Sequence, residues 1–364
     1  MHAVVAKSTI TVPVENGRSA ITLEAGRPYV MHDVEVAGGT RADVFEQVAA
    51  LPPVPRRFDP GARLSGRMIV PFIGGLGDAV SLLPVLSAIR RRHPRLSIEV
   101  TTTPGPAEVF DLSRTIGQIA LYPMPLTEWA RYDHYLTLEA VHETGQAPGR
   151  PLPDVFAAAL GVEIGPWSFD LALPRAAEAA AEPASVPLVA VAVGEGRTMR
   201  SYPRPMLREL VGLLVRNGLG CVLLGHADPT WNIPVCPPVI TDMRSKTPTV
   251  LELAVWLRAV DVVVCHDSFA MHLAGALGRP AVALFAPTSR CHVSPYSSAV
   301  SLSSTAACSP CHHAMSACPR GNDRCVAWDS AAVGPSAVAG AVLERLLEQG
   351  RVAPGAGGGF AAAL

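Results

Sequence analysis

"VVVCHDSFAMHLAGALGRPAVALFAPT" (Val262–Thr288) is the stretch on which the fold turns. An apolar β-favouring run leads into Cys265-His266-Asp267-Ser268, a helical pattern of small and apolar residues follows, and a second apolar run ends at Ala286-Pro287-Thr288. Strand, turn, helix and strand in this order predict a right-handed βαβ unit with parallel strands. The helix opening at Ser268 would present free backbone N–H groups and a positive dipole end, which suits a diphosphate. Read without that ligand, the same stretch is an ordinary βαβ unit with Met271 and Leu273 in the core and His272 partly buried. Asp267 is awkward beside phosphate and reads instead as a ligand for a ribose or sugar hydroxyl.

Working outward, the same alternation recurs on both sides. Downstream of residue 186 come strands "PLVAVAVG" and "CVLLGH", helices "RPMLRELVGLLVRNG" and "TVLELAVWLRAV", and a closing amphipathic helix "SAVAGAVLERLLEQG". Upstream lie strands "RMIVPFI", "LSIEVTT", "IALYPM" and "HYLTL", with a first helix "SLLPVLSAIRRRH" in which Pro84 must occupy the first turn or cause a kink. Two doubly wound α/β domains are therefore expected, residues 66–185 and 186–350, joined by the alanine-rich, proline-bracketed segment 173–187 and leaving a cleft between them. Residues 1–65 read as a small β-rich module of short alternating strands, closed by a helix over "ADVFEQVAALPPVP", and residues 351–364 as a disordered tail.

The chain has 364 residues, 49 % apolar and 17 % charged, with a net charge of −1. It is globular, and it has no global field for nucleic acid. No basic leader with an apolar core and no apolar run of ~18 residues is visible, so neither a signal peptide nor a membrane span is expected.

"GGLGDAVSLLPVL" (Gly74–Leu86) raises a separate question. Gly75 and Gly77 after a strand, with Glu99 near the end of the next one, match part of a dinucleotide fingerprint. However, Val80 stands where a third glycine belongs, and Asp78 would lie beside the pyrophosphate. Two like charges ~4 Å apart at an effective dielectric of ~20 repel by about 4 kcal/mol. Asp78 reads either as a helix cap or as a general base held at the mouth of a cleft. In the second half, "GEGRTMRSYPRP" places Arg197 and Arg200 after a strand, where cations reach a ligand in the crevice.

These features together resemble glycosyltransferase family 9, the ADP-heptose:lipopolysaccharide heptosyltransferase-like enzymes. The carriers are "GGLGDAVSLLPVLSAIRRRHP", "RTMRSYPRPML" and the run from Lys246 to Thr288, so the resemblance spans about Arg67 to Gly350. It implies a GT-B fold, with acceptor in the N-terminal Rossmann-like half and nucleotide sugar in the C-terminal half. It implies Asp78 as the catalytic base, with Gly75 and Gly77 on the acceptor side, and Arg200 and Arg197 on the diphosphate. The donor turn would run through Asp267, Ser268, Phe269, Ala270, Met271 and His272 to Thr288. Phe269 and Ala286 stand where the family carries glycine, a departure that narrows or reshapes the donor pocket. The implied reaction is inverting transfer of a sugar, heptose foremost, from an ADP-sugar to a hydroxyl of a saccharide or protein, with no catalytic metal. The implied location is the cytoplasm or the inner face of the membrane, with neither nucleic acid nor a membrane-spanning segment.

"CSPCHHAMSACPRGNDRC" gathers Cys308, Cys311, Cys318 and Cys325. Such spacing fits a closed four-thiolate site for zinc or iron with a structural role. The resembled family's protein-modifying branch, the autotransporter heptosyltransferases, holds iron in a four-cysteine finger of different spacing. Free thiols or labile disulfides are the plain alternatives, and Cys221 and Cys265 read as core residues. Two other function classes compete: a metal-finger interaction protein, which leaves Asp78 and the arginine loop unexplained, and an NAD-dependent oxidoreductase, which the charge of Asp78 opposes.

Overall fold

The computed structural model of the chain describes residues 1–14, 19–31, 45–49, 55–138, 149–174, 186–193, 199–226, 239–293, 296–311, 318–322 and 324–353. Most of the proposed linker and tail lies outside them. The chain divides into two compact units, residues 1–147 with 152–172, and residues 148–151 with 173–364.

The first unit opens with β1 (His2–Ala6), β2 (Ile10–Val14), β3 (Ser19–Leu23), β4 (Pro28–Met31) and β5 (Phe45–Ala49). β2 and β3 form a hairpin, while β1 lies antiparallel between β4 and β5. The β5 segment was expected to be helical. Its spacing permits a helix, but pairing with β1 from Ala6↔Phe45 to Ala3↔Ala49 decides for strand, since edge pairing routinely overrides local preference.

The parallel sheet contains β6 (Arg56–Arg57), β7 (Gly66–Phe72), β8 (Leu96–Thr102) and β9 (Ile116–Leu121). After β10 (Met124–Pro125), which extends the N-terminal sheet beside β4, β11 (His134–Tyr135) completes it in the order β6-β11-β7-β8-β9. Val30, Ile69, Met124, Trp129 and Tyr132 form one cluster, so the N-terminal strands and the parallel sheet share packing. The chain moves from β7 to β8 and β9 and then returns to the other side of β7, which puts a topological switch point between β7 and β11.

Helix Leu76–Arg92 begins five residues before its expected start and buries Ala79 through Ile89. Pro84 therefore sits two turns inside it and forfeits a hydrogen bond to the Val80 carbonyl, rather than occupying the first turn.

The second unit carries β12 (Leu188–Val193), β13 (Gly220–Gly225), β14 (Ile240–Asp242), β15 (Val262–His266), β16 (Ala281–Phe285) and β17 (Ala299–Ser303). All are parallel, in the order β14-β13-β12-β15-β16-β17, so the switch point lies between β12 and β15. Helix Val250–Ala259 starts at a reciprocal cap in which Thr249 Oγ1 accepts from the Glu252 N–H and Glu252 accepts from the Thr249 N–H. Helices Arg204–Arg216 and Pro335–Glu348 cover the sheet with Leu210, Leu214, Val338 and Val342 against Val264, Leu284 and Trp328. Gly275 is required by packing: a Cβ there would fall 2.1 Å from the Tyr296 ring.

Candidate active site

In the first unit, the chain leaves β7 through Ile73-Gly74-Gly75 and enters the helix directly at the switch point. Gly75 is the N-cap residue, and its N–H donates to Asp78 Oδ2 at 2.9 Å. Asp78, at the third helical position, thus satisfies one of the donors that a helix start leaves over, and it meets the positive end of the dipole. Glycine at 75 keeps this geometry open, because a Cβ there would sit 3.3 Å from Asp78 Oδ2. The Gly77 carbonyl accepts from Ser81 Oγ at 2.9 Å. Asp78 is half-buried, and the Gly75 N–H occupies only one of its two carboxylate oxygens. The capping role and the availability of a carboxylate oxygen coexist at this residue.

Glu99 settles the dinucleotide comparison. It lies in the middle of β8, not at its end, and is buried. Arg67 donates to both its oxygens at 2.9 and 3.0 Å, and Tyr132 Oη donates at 2.9 Å. The Arg67 guanidinium also lies 4.7 Å from the centroid of the Tyr132 ring. This carboxylate is consumed by its own network and has no geometry for a ribose. Burial, followed by the Glu99 hydrogen bond and charge, pushes the Tyr132 hydroxyl up to about 12.

In the second unit, Arg200 follows β12 and Asp267 follows β15, so the two flank the switch point. Arg200 Nη1 donates to Asp267 Oδ2 at 3.3 Å. The arginine side chain is 40 % exposed and the aspartate 4 %, which leaves the rest of the guanidinium fork open while the carboxylate is enclosed. The Ser268 Oγ turns back to the His266 carbonyl at 3.2 Å and does not cap helix Phe269–Ala276. The N-cap side chain therefore leaves the Phe269 and Ala270 N–H groups of that helix unclaimed, the arrangement an anion fills. Ser268, Phe269 and Ala270 are half-exposed at this end, whereas Met271 and His272 point inward. His272 Nδ1 lies 2.8 Å from Tyr296 Oη, edge-on to its ring. Thr288 is buried at the end of the next loop, and its hydroxyl has no partner among the described residues. Arg197 lies outside the described residues.

His266 is a residue that the sequence reading passed over. Its Nδ1 donates to the Asp267 carbonyl at 3.1 Å, which leaves Nε2 as a buried acceptor without a partner among the described residues. Burial first, and the nearby Arg200 charge after it, hold this imidazole below its usual range and hence neutral. The available signal was a histidine at the last position of a strand, directly before Asp267-Ser268.

The four cysteines do not form the expected closed site. Burial raises the Cys325 thiol, with smaller contributions from the charges of Cys311 and Cys308. Cys318 is held separately by the N–H groups of Arg320 and Asn322 and by Asn322 Nδ2 at 3.6 Å, which together lower its pKa. Among the described residues, no three His, Cys, Asp or Glu side chains come together as a group able to hold a metal ion. The donor chemistry suits a thiophilic metal; the assembled geometry is lacking. The segment is nonetheless anchored near the candidate donor site, since the Cys311 N–H donates to the Pro287 carbonyl at 3.0 Å and Ser309 Oγ donates to the Ala286 carbonyl.

Residues 153–320 match the model of glycosyltransferase family 9 (heptosyltransferase), a span that includes every residue expected on the donor side and excludes Asp78. No curated protein matches the chain. Among solved structures, a family 9 glycosyl transferase from Veillonella parvula aligns with a TM-score of 0.61 at 16 % identity, over 80 % of this chain and all of that one. The Escherichia coli ADP-heptose lipopolysaccharide heptosyltransferase II aligns at 0.56 and 15 %, over 78 % of this chain and 99 % of that one. TibC, an iron-containing dodecameric glycosyltransferase from enterotoxigenic E. coli, aligns at 0.56 and 14 %, over 96 % and 92 % respectively. The fold is thus α/β of the GT-B class with two Rossmann-like units, and the family 9 resemblance holds over the second half of the chain. Among the described residues, no helix is long and apolar enough to cross a membrane.

Proposed function

We propose that this chain is an inverting glycosyltransferase of family 9 that moves a sugar, heptose foremost, from an ADP-sugar to a hydroxyl on a saccharide or protein. The observation that carries the reading is the Arg200–Asp267 pair beside the uncapped start of helix Phe269–Ala276, at a switch point inside the family-matched span. That combination offers a cation, free backbone N–H groups and a buried hydroxyl acceptor to one nucleotide diphosphate.

In this reading the acceptor oxygen attacks the anomeric carbon as Asp78 takes its proton. The bond from that carbon to the diphosphate oxygen breaks, and ADP leaves with the electron pair. Arg200, Arg197 and the Ser268 end of the helix stabilise the charge growing on the leaving group, while Asp267 binds a hydroxyl of the donor. Phe269, Ala270 and Thr288 line the donor side, Met271 and His272 support it from the core, and Gly75 and Gly77 let the acceptor approach. The reaction is placed in the cytoplasm, either free or at the inner membrane surface.

The structural part of the proposal is a zinc or iron ion whose binding would have to draw Cys308, Cys311, Cys318 and Cys325 together, since they are not assembled in the structure described. Four thiolates would brace the loop that hydrogen-bonds to Ala286 and Pro287, and would supply no chemistry to the transfer itself. The test of the enzymatic reading is intact-mass analysis of candidate acceptors incubated with ADP-heptose and with UDP-sugars. A heptose mass increment that is lost in Asp78→Asn supports it. The same increment at wild-type rate in Asp78→Asn would remove Asp78 from the chemistry.

A further inference from the structure

A cluster of arginines that the transfer reaction does not use gathers at the opposite end of the first unit's sheet, where its parallel strands begin. Arg95 directly precedes β8, and its carbonyl accepts the N–H of Gly66, the first residue of β7. Arg56 on β6 lies in register with His134 on β11, which lies in register with Met68 on β7. Arg63 precedes β7, and helix Leu76–Arg92 delivers Arg90, Arg91 and Arg92 to the same end. His93 lies among them: it directly follows Arg92, and its Nδ1 accepts the N–H of Leu64, the residue after Arg63. Burial first, and then the charges of Arg92, Arg63 and His134, hold its pKa below the usual range.

Helix-end chemistry accounts for only part of this cluster. Arg90 donates to the Pro94 carbonyl and Arg91 to Ser87, as basic residues do at a helix C-terminus. Arg56, Arg57, Arg63 and Arg95 belong to no helix, and with Arg92 they are exposed. Among the described residues, none of these five forms an ion pair. The nearby carboxylates are too few to neutralise them. Asp59 and Asp133 each accept a backbone N–H, from Gly61 and Arg67, and Glu163 lies in the small cavity beside Arg92 and His93. A chain of net charge −1 thus holds unpaired like charges side by side, an arrangement that costs stability unless an anionic surface meets it.

We propose that this edge is a docking surface for an anionic phospholipid membrane. The reading extends the peripheral location suggested above and does not depend on the transfer chemistry. Arginine forks pair bidentately with phosphate, which lipid headgroups present as a two-dimensional array. Among the described residues, the aromatic rings that would make nucleic acid the better partner are not fully exposed beside the arginines: Phe58 is only half-exposed and faces the cavity with Arg92 and His93. The surface lies at the strand ends opposite those leading to Asp78, so docking there would leave the Gly75–Asp78 turn uncovered.

Flotation with liposomes tests this on the full-length protein. In low salt, vesicles with about 30 % phosphatidylglycerol should retain the protein and pure phosphatidylcholine vesicles should not, and ~0.5 M salt should release it. The triple variant Arg63→Gln/Arg92→Gln/Arg95→Gln should partition roughly a hundredfold less. Its melting temperature should be unchanged or higher, because like-charge repulsion is relieved, and its ADP binding should be unchanged, which separates failure of docking from failure of the donor site. Equal binding of wild type and triple variant, or equal binding to neutral vesicles, would overturn the proposal. Low-salt retention on single-stranded RNA, or self-association in size-exclusion chromatography, without binding to anionic vesicles would overturn it too.

Discussion

Asp78 does two things that a substitution can separate. Asparagine can still accept the Gly75 N–H, so Asp78→Asn should cost no more than the helix-dipole contribution, about 0.3–1 kcal/mol. As the proposed base it should lose ~10²–10⁴ in turnover with donor affinity intact. Near-normal turnover in the folded variant would leave Asp78 as a helix residue only. Arg200 is separable in a different way. Arg200→Ala should weaken ADP binding roughly 10–100-fold and leave adenosine binding alone, because adenosine offers no phosphate. It also strips the partner from the buried Asp267, so its melting temperature should fall, and Asp267→Asn in the same chain should restore much of the loss. A melting temperature unchanged in Arg200→Ala would show that the pair carries no structural weight.

At the scale of elements, the Arg67–Glu99–Tyr132 network knits β7 and β8 to the segment before β11, and its removal should read as stability, not activity. Tyr132→Phe should cost about 1 kcal/mol and leave turnover unchanged, as differential scanning and a transfer assay would show. Because the Tyr132 hydroxyl is raised to about 12 in the folded protein, its contribution is complete below pH ~10 and is lost as pH climbs toward 12. Alkaline unfolding in that window should therefore soften in Tyr132→Phe. Elements also show what the sequence made legible. The strands and helices of the second unit followed from alternation of apolar runs with amphipathic ones, since buried parallel strands and their covering helices leave strong patterns. The strand at Phe45–Ala49 did not, because its partner β1 lies some forty residues away and only that pairing selects strand over helix. The early start at Leu76 was hidden for a local reason: Gly-Gly-Leu-Gly reads as turn until Asp78 is seen to complete the helix start. The role of Glu99 in the network was not legible, because its partners Arg67 and Tyr132 are distant in the chain. β14, with three residues, carries no periodicity at all.

For the whole molecule, the cysteines divide by environment in a way that alkylation can follow. Burial raises Cys221 and Cys265 to about 12, and both should stay unreactive until the chain unfolds. Cys318, whose pKa is lowered by backbone N–H groups, should be labelled first as pH is raised, provided no metal occupies it. If the proposed ion is bound, elemental analysis should find about one zinc or iron per chain, and Cys308→Ser should lower the melting temperature before it alters turnover. Rapid labelling of all four cluster thiols in freshly purified protein would exclude the bound ion. The central claim, that the second unit holds a nucleotide-diphosphate sugar through Arg200 and the Ser268 helix end, is tested most directly by calorimetric titration of ADP-heptose into wild type and Arg200→Ala, with NAD in parallel. ADP-heptose should bind, with a loss of roughly 10–100-fold in the variant, and NAD should give no heat. Tighter binding of NAD than of ADP-heptose, or equal affinity in wild type and variant, would contradict it.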